Sequence, residues 1–196
     1  MMYMICILAR WLVLLIFFKY CYCSAGDSSP FYQNCLQKCF GVNCTDDGVD
    51  FVYRQQNVML YYLNWSCEDE CKYECMWKTV KAFNDRNLRM PQFYGKWPFV
   101  RVMGIQEPAS VTFSLLNAYC HFRMIKKFRN AVRPDSPLTW LWHVYFLVCV
   151  HAWFWSAVFH TRDFPLTEML DYVCAFSIVL INCYIMIVSI RDNLQK

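Results

Sequence analysis

The chain has 196 residues, of which 58% are hydrophobic, 19% aromatic and 17% charged, more apolar than the core of one soluble domain of this length requires. Its formal charge of +4 is modest and gathers in one cluster, so it speaks for membrane topology and against nucleic acid as a partner. Thirteen cysteines, six of them between Cys35 and Cys75 and outside any apolar run, read as a disulfide framework in a chain that enters the secretory pathway.

Residues 1–25 set Arg10 ahead of the apolar run WLVLLIFF and small residues at Ser24 and Ala25, the make-up of a signal peptide cleaved near Ala25. An uncleaved anchor is the alternative, because the apolar part before Lys19 is long. Residues 26–98 are polar and mixed. Asn43-Cys44-Thr45 and Asn64-Trp65-Ser66 both fit the N-glycosylation acceptor. Cys35 and Cys39 are four apart, as are Cys67, Cys71 and Cys75, so each set lines one face of a short helix. With Cys44 nearby, two such helices can be stapled by up to three disulfides in any of fifteen pairings. A zinc site, or a Cys-x-x-x-Cys hairpin of the mitochondrial intermembrane space, uses similar spacings. The apolar leader, the sequons and the spans that follow favour a stapled luminal domain instead.

Residues 99–120 form the first expected span, interrupted by Arg101, Gln106, Glu107 and Pro108. Such residues are tolerated in a span that faces protein, so Glu107 is either functional or a helix-packing residue. Residues 121–137 carry Arg123, Lys126, Lys127, Arg129 and Arg133 against one acid, Asp135, which makes them a cytosolic basic loop. The second span, residues 138–160, has the length needed to cross the hydrocarbon core, and its tryptophans and Tyr145 suit interfaces and packing. A luminal loop over 161–170, a third span over 171–190 and a cytosolic tail over 191–196 complete the chain.

The chemistry-bearing residues lie around the second turn of the chain. Ser156 and His160 are four apart, on one helix face about 6 Å along the axis. Asp171 opens the next apolar run, so two antiparallel spans bring Ser156, His160 and Asp171 to the luminal bilayer face, where ionisable groups are costly and usually functional. At about 100° per residue, His143 and His151 fall off the His160 face and read as packing or hydrogen-bonding residues. A serine hydrolase using Ser156 needs its base within hydrogen-bond reach, which residues four apart on a helix meet loosely. A zinc site fits better, with His160 as metal ligand and Ser156 and Asp171 holding the metal-bound water. Catalytic zinc takes three protein ligands and lowers the pKa of its water from about 15.7 to about 7.

The segments WSCEDECKYECMW (residues 65–77), FYGKWPF (93–99), QEPAS (106–110) and AWFWSAVFHTRDFPLTEMLDYVCA (152–175) resemble the post-GPI-attachment-to-proteins factor 3 family, within a wider superfamily of seven-helix membrane hydrolases that includes the alkaline ceramidases. The resemblance implies an all-α membrane protein: a small disulfide-rich helical luminal domain followed by three transmembrane helices, an incomplete seven-helix bundle. It implies removal of the sn-2 acyl chain from the GPI lipid of anchored proteins, a phospholipase A2-type hydrolysis in the Golgi or endoplasmic reticulum membrane. It further implies a zinc (Zn2+) site to which Ser156, His160 and Asp171 contribute, matching the superfamily's serine, histidine four later and aspartate eleven after that. The family's last span carries a His-x-x-x-His pair that this sequence lacks, so the chain is expected to be an N-terminal portion that is inactive alone. The alternatives are a non-catalytic luminal module that binds GPI-anchored cargo, and a regulator that pairs with full-length copies of the same protein.

Overall fold

The computed structural model describes residues 24–53 and 55–194, so most of the expected signal peptide lies outside the described residues. Among the described residues six helices follow one another: α1 (Pro30–Asn43), α2 (Val58–Tyr62), α3 (Cys67–Asn84), α4 (Pro108–Ala131), α5 (Thr139–Thr161) and α6 (Pro165–Leu194). Among the described residues there is no strand, only three isolated bridges. The chain divides into two compact units, Met1–Pro98 and Phe99–Lys196.

The first unit is built on α1 and α3. Pro30 opens α1 with a φ already suited to a helix. Ser66 caps α3: its hydroxyl accepts the Asp69 N–H while the Asp69 carboxylate accepts the Ser66 N–H, and Glu68, Asp69 and Glu70 place negative charge at the helix's positive end. Three disulfides join the two helices: Cys35–Cys75, Cys39–Cys71 and Cys44–Cys67. Each step forward by about one turn along α1 meets a step back by one turn along α3, so the helices run antiparallel and the bridges form a ladder. The zinc reading of these cysteines is thereby overturned, since a sulfur bonded to sulfur is no longer a thiolate ligand.

Around the ladder, Tyr32, Cys75, Met76 and Phe93 form a small core with Leu36, Trp77 and Val80 against it. Burial, and then the hydrogen bond with the Tyr94 hydroxyl, push the Tyr32 phenol well above its ordinary pKa, so it is packed as a neutral group. Phe93 reaches this core from a tight turn. Phe93 and Lys96 exchange both backbone hydrogen bonds around Tyr94 and Gly95, each at positive φ, the geometry of a type I′ turn. A close approach explains Gly26: a Cβ there would stand 2.5 Å from the Gln92 carbonyl oxygen and 2.7 Å from the Phe93 ring.

In the second unit α5 packs against both α4 and α6, which do not contact each other. Two of these helices, Thr139–Thr161 and Pro165–Arg191, are long and apolar enough to cross a membrane. Their surfaces fit that environment, with large apolar side chains such as Leu147, Phe154, Val179 and Ile187 exposed.

Several boundaries differ from expectation. The first helix of this unit begins at Pro108, not near residue 99, because Val102 and Ile105 close a second I′-type turn over Met103 and Gly104. It then continues through residues 121–131, so the basic cluster expected in a loop lies on the last turns of α4. Nothing breaks the helix before Val132, which is extended ahead of Arg133 and Pro134. With Ser110, Thr112, Ser114, Asn117 and these bases along it, α4 is not among the helices apolar enough to span. The expected loop over 161–170 shrinks to three residues, because Pro165 starts α6. Asp171 therefore sits in the second turn of α6 and not at its first residue.

Candidate functional site

A helix leaves its last carbonyls without partners inside the helix. At the end of α5 the segment before α4 supplies them. The Gln106 N–H donates to the Thr161 carbonyl at 3.1 Å and the Glu107 N–H to the His160 carbonyl at 3.0 Å. The Gln106 side-chain oxygen accepts the Asp163 N–H. QEPAS is thus a clamp that caps one helix with the entry segment of another.

The clamp also places a carboxylate on His160. Glu107 Oε2 accepts the His160 Nδ1 hydrogen at 2.8 Å and the Ser110 hydroxyl at 3.1 Å. A carboxylate is an acceptor only, so it fixes the proton on Nδ1 and leaves Nε2 as the chemically available nitrogen. Nε2 has no hydrogen-bond partner among the described residues. One turn deeper, Ser156 Oγ and the buried Ser114 Oγ lie 3.1 Å apart. Glu107, which immediately precedes α4, and Ser110 and Ser114 in its first two turns meet Ser156 and His160 at i and i+4 on α5, so the two helices share one polar seam.

The structure brings these five residues together, and Asp171 is not among them. Among the described residues Asp171 hydrogen-bonds to neither Ser156 nor His160. It is half-buried on the turn of α6 whose Tyr172 ring stands 6.4 Å from the Phe159 ring. Ser156 is paired with Ser114 and not with His160, so a serine nucleophile with its base is not assembled. The other histidines are engaged elsewhere. His121 packs on the Tyr145 ring, His143 bonds Arg129 and the Thr139 carbonyl, and His151 bonds Trp155 and Cys174.

These donors fit one position of a zinc site. An imidazole held at one nitrogen by a carboxylate, with the other nitrogen open, is the usual arrangement of a zinc-ligating histidine. No three ligand atoms converge around His160 among the described residues; the three side chains that do converge are Cys44, Cys67 and Cys71, all in disulfides. Glu107 is visible in the sequence as an interruption of an apolar run, and Ser110 and Ser114 as its helical neighbours. Their pairing with His160 and Ser156 depends on the register of two helices some fifty residues apart.

The predicted modification sites are both exposed: Asn43 is the last residue of α1, and Asn64 lies at positive φ in the turn after α2.

The pattern of the Per1-like family matches residues 57–196. The chain belongs to the Per1-like family. Every residue of the polar seam, and Asp171, falls inside the matched stretch. Among curated relatives, this Per1-like chain is 51% identical over 172 residues to "Post-GPI attachment to proteins factor 3" of Drosophila melanogaster, covering 85% of this chain and 53% of that protein. It is 43% identical over 162 residues to "GPI-specific phospholipase A2-like PGAP3" of Mus musculus, covering 83% of this chain and 51% of the relative. The Homo sapiens protein of the same name is 40% identical over 162 residues, with the same coverage. The Per1-like chain therefore spans about half the length of the curated relatives it matches. No solved structure matches it.

Proposed function

We propose that the chain takes part in remodelling the lipid of GPI anchors, by hydrolysing the sn-2 acyl ester of the GPI lipid on anchored proteins. Two apolar helices and the names of its relatives support a membrane protein of the secretory pathway. In this reading it acts in the Golgi or endoplasmic reticulum, with α4 packed on α5 as a third membrane helix. The observation that carries the reading is the 2.8 Å contact between Glu107 and His160 at the end of an apolar helix, because a lipid ester lies at the same boundary between hydrocarbon and headgroup.

Within the site, Glu107 holds the proton on His160 Nδ1 and presents Nε2 as one ligand for zinc, the remaining ligands lying outside the described residues. Zinc, when bound, supplies water that is acidic enough to ionise near neutral pH. Asp171, a carboxylate with no hydrogen bond or ion pair among the described residues, accepts the proton of the attacking water. Ser156, steadied by Ser114, offers a hydroxyl to orient that water. The hydroxyl of water adds to the ester carbonyl, the bond to the glycerol oxygen breaks, and a fatty acid and a lysolipid alcohol leave, the alcohol taking up the proton.

Mass spectrometry of GPI lipids from cells lacking the protein tests this. The expected result is an unremodelled sn-2 chain. GPI lipid identical to that of parental cells would overturn the reading.

A further inference from the structure

The first unit holds a feature that ester hydrolysis does not use. Along α3 an open cleft of about 670 Å³ lies over the Cys39–Cys71 disulfide, in the size range of ligand sites. Its wall combines Tyr73 and Trp77, whose rings meet edge to face at 6.3 Å, with Glu70, Glu74, Lys78 and Lys81. Trp77 is half-buried and packed against the unit's core, so its ring is held before any ligand arrives. A rigid aromatic plane flanked by acceptors and donors is what a pyranose requires: its C–H face lies on the ring while its hydroxyls bond to carboxylates and amides. Lys78 is paired with Glu74 at 2.6 Å. Lys81 is exposed and its ammonium has no partner among the described residues, which leaves a positive charge at the cleft for an anionic substituent.

We infer that this cleft binds a phosphorylated oligosaccharide, the glycan headgroup of the GPI whose lipid the chain remodels. The identity of the glycan rests on the proposed function; the cleft's chemistry, an aromatic plane with an unpaired lysine beside it, does not. Trp77 takes a sugar face, Glu70 and Glu74 take hydroxyl hydrogens, and Lys81 takes the phosphate.

The test uses the whole chain in detergent micelles, trimmed with an endoglycosidase because Asn43 also lines the cleft. The probe is the water-soluble, delipidated GPI headgroup, with inositol phosphate and unphosphorylated mannotriose as comparisons, titrated by calorimetry. Saturable binding of the headgroup is expected. Lys81→Glu should weaken it about tenfold, the loss of one charge-assisted hydrogen bond, without affecting mannotriose. Trp77→Phe, which keeps an aromatic packing residue, should weaken both sugars. A non-reducing peptide map showing all three bridges in each variant verifies the fold. No saturable binding, inositol phosphate binding as tightly as the headgroup, or headgroup affinity in either variant equal to that of the unsubstituted chain would overturn the inference. The two readings part cleanly: no headgroup binding with altered GPI lipid in cells lacking the protein sinks the cleft alone. Headgroup binding that depends on Lys81 and Trp77, with unaltered GPI lipid in those cells, sustains the cleft and sinks the hydrolase.

Discussion

Glu107 grips His160 at two points: its carboxylate takes the Nδ1 hydrogen at 2.8 Å, and its backbone N–H binds the His160 carbonyl at 3.0 Å. The two contacts do different things. The backbone contact caps α5, and the carboxylate sets the histidine's tautomer. Glu107→Gln keeps the first and replaces an ionic acceptor with a neutral amide. In a version extended to the length of the curated relatives, this substitution should lower GPI lipid remodelling about 10–100-fold while leaving protein abundance unchanged. Abundance falling in step with remodelling would show that Glu107 only caps the helix.

The three residues singled out from the sequence should differ in severity. His160→Ala removes a ligand and abolishes remodelling in the extended version. Asp171→Asn costs at least about 100-fold, as loss of a group that handles the water's proton does. Ser156→Ala gives the mildest loss, because Ser114 still supplies a hydroxyl in the seam. Trapping of an acyl group on Ser156 would overturn the metal-based chemistry.

Zinc content separates one ligand from a complete site. Since His121, His143 and His151 are committed elsewhere, the purified 196-residue chain should hold no stoichiometric zinc by elemental analysis. One zinc per chain, lost on His160→Ala, would contradict this assignment.

The disulfide ladder makes a prediction about exchange. Cys44 Sγ lies 3.8 Å from Cys71 Sγ of the next rung. Cys67→Ser frees a Cys44 thiol beside the Cys39–Cys71 bond, where thiol–disulfide exchange is set up by proximity. The variant should form a Cys44–Cys71 bridge with a free Cys39, seen by non-reducing peptide mapping, and should be retained in the endoplasmic reticulum. Cys44→Ser with Cys67→Ser should keep the other two bridges and lose only about 2–5 kcal/mol. An unshuffled single variant would show that the rungs are insulated from each other.

Asn43 and Asn64 are exposed, so a luminal first unit should carry glycans at both. Endoglycosidase should shift the mobility of the chain twice over, and each Asn→Gln change should remove one shift. Protease added to sealed microsomes should cut near Arg129 and spare the cysteine-rich unit. The reverse pattern would invert the topology.

What the sequence made legible follows from which interactions are local. The helical spacing of Cys67, Cys71 and Cys75 lies within one helix, so the stapled framework could be read, whereas its pairing needed the direction of α1 against α3. His160 stands out as a polar residue closing an apolar run, while Glu107, distant in sequence, reads more readily as a helix-packing residue than as a functional one. The helix does not start near residue 99 as expected because Met103 occupies a left-handed turn that Gly104 alone announces. The short linker between α5 and α6 was hidden because Pro165 reads equally as a turn residue and as the first residue of a helix.

In the second unit α5 touches both neighbours and these do not touch each other, so contacts between helices there join elements adjacent in the chain. Such a row has little long-range closure entropy to overcome. Each helix can dock on its predecessor as it leaves the ribosome, and Glu107, made before His160, is already waiting when the histidine arrives.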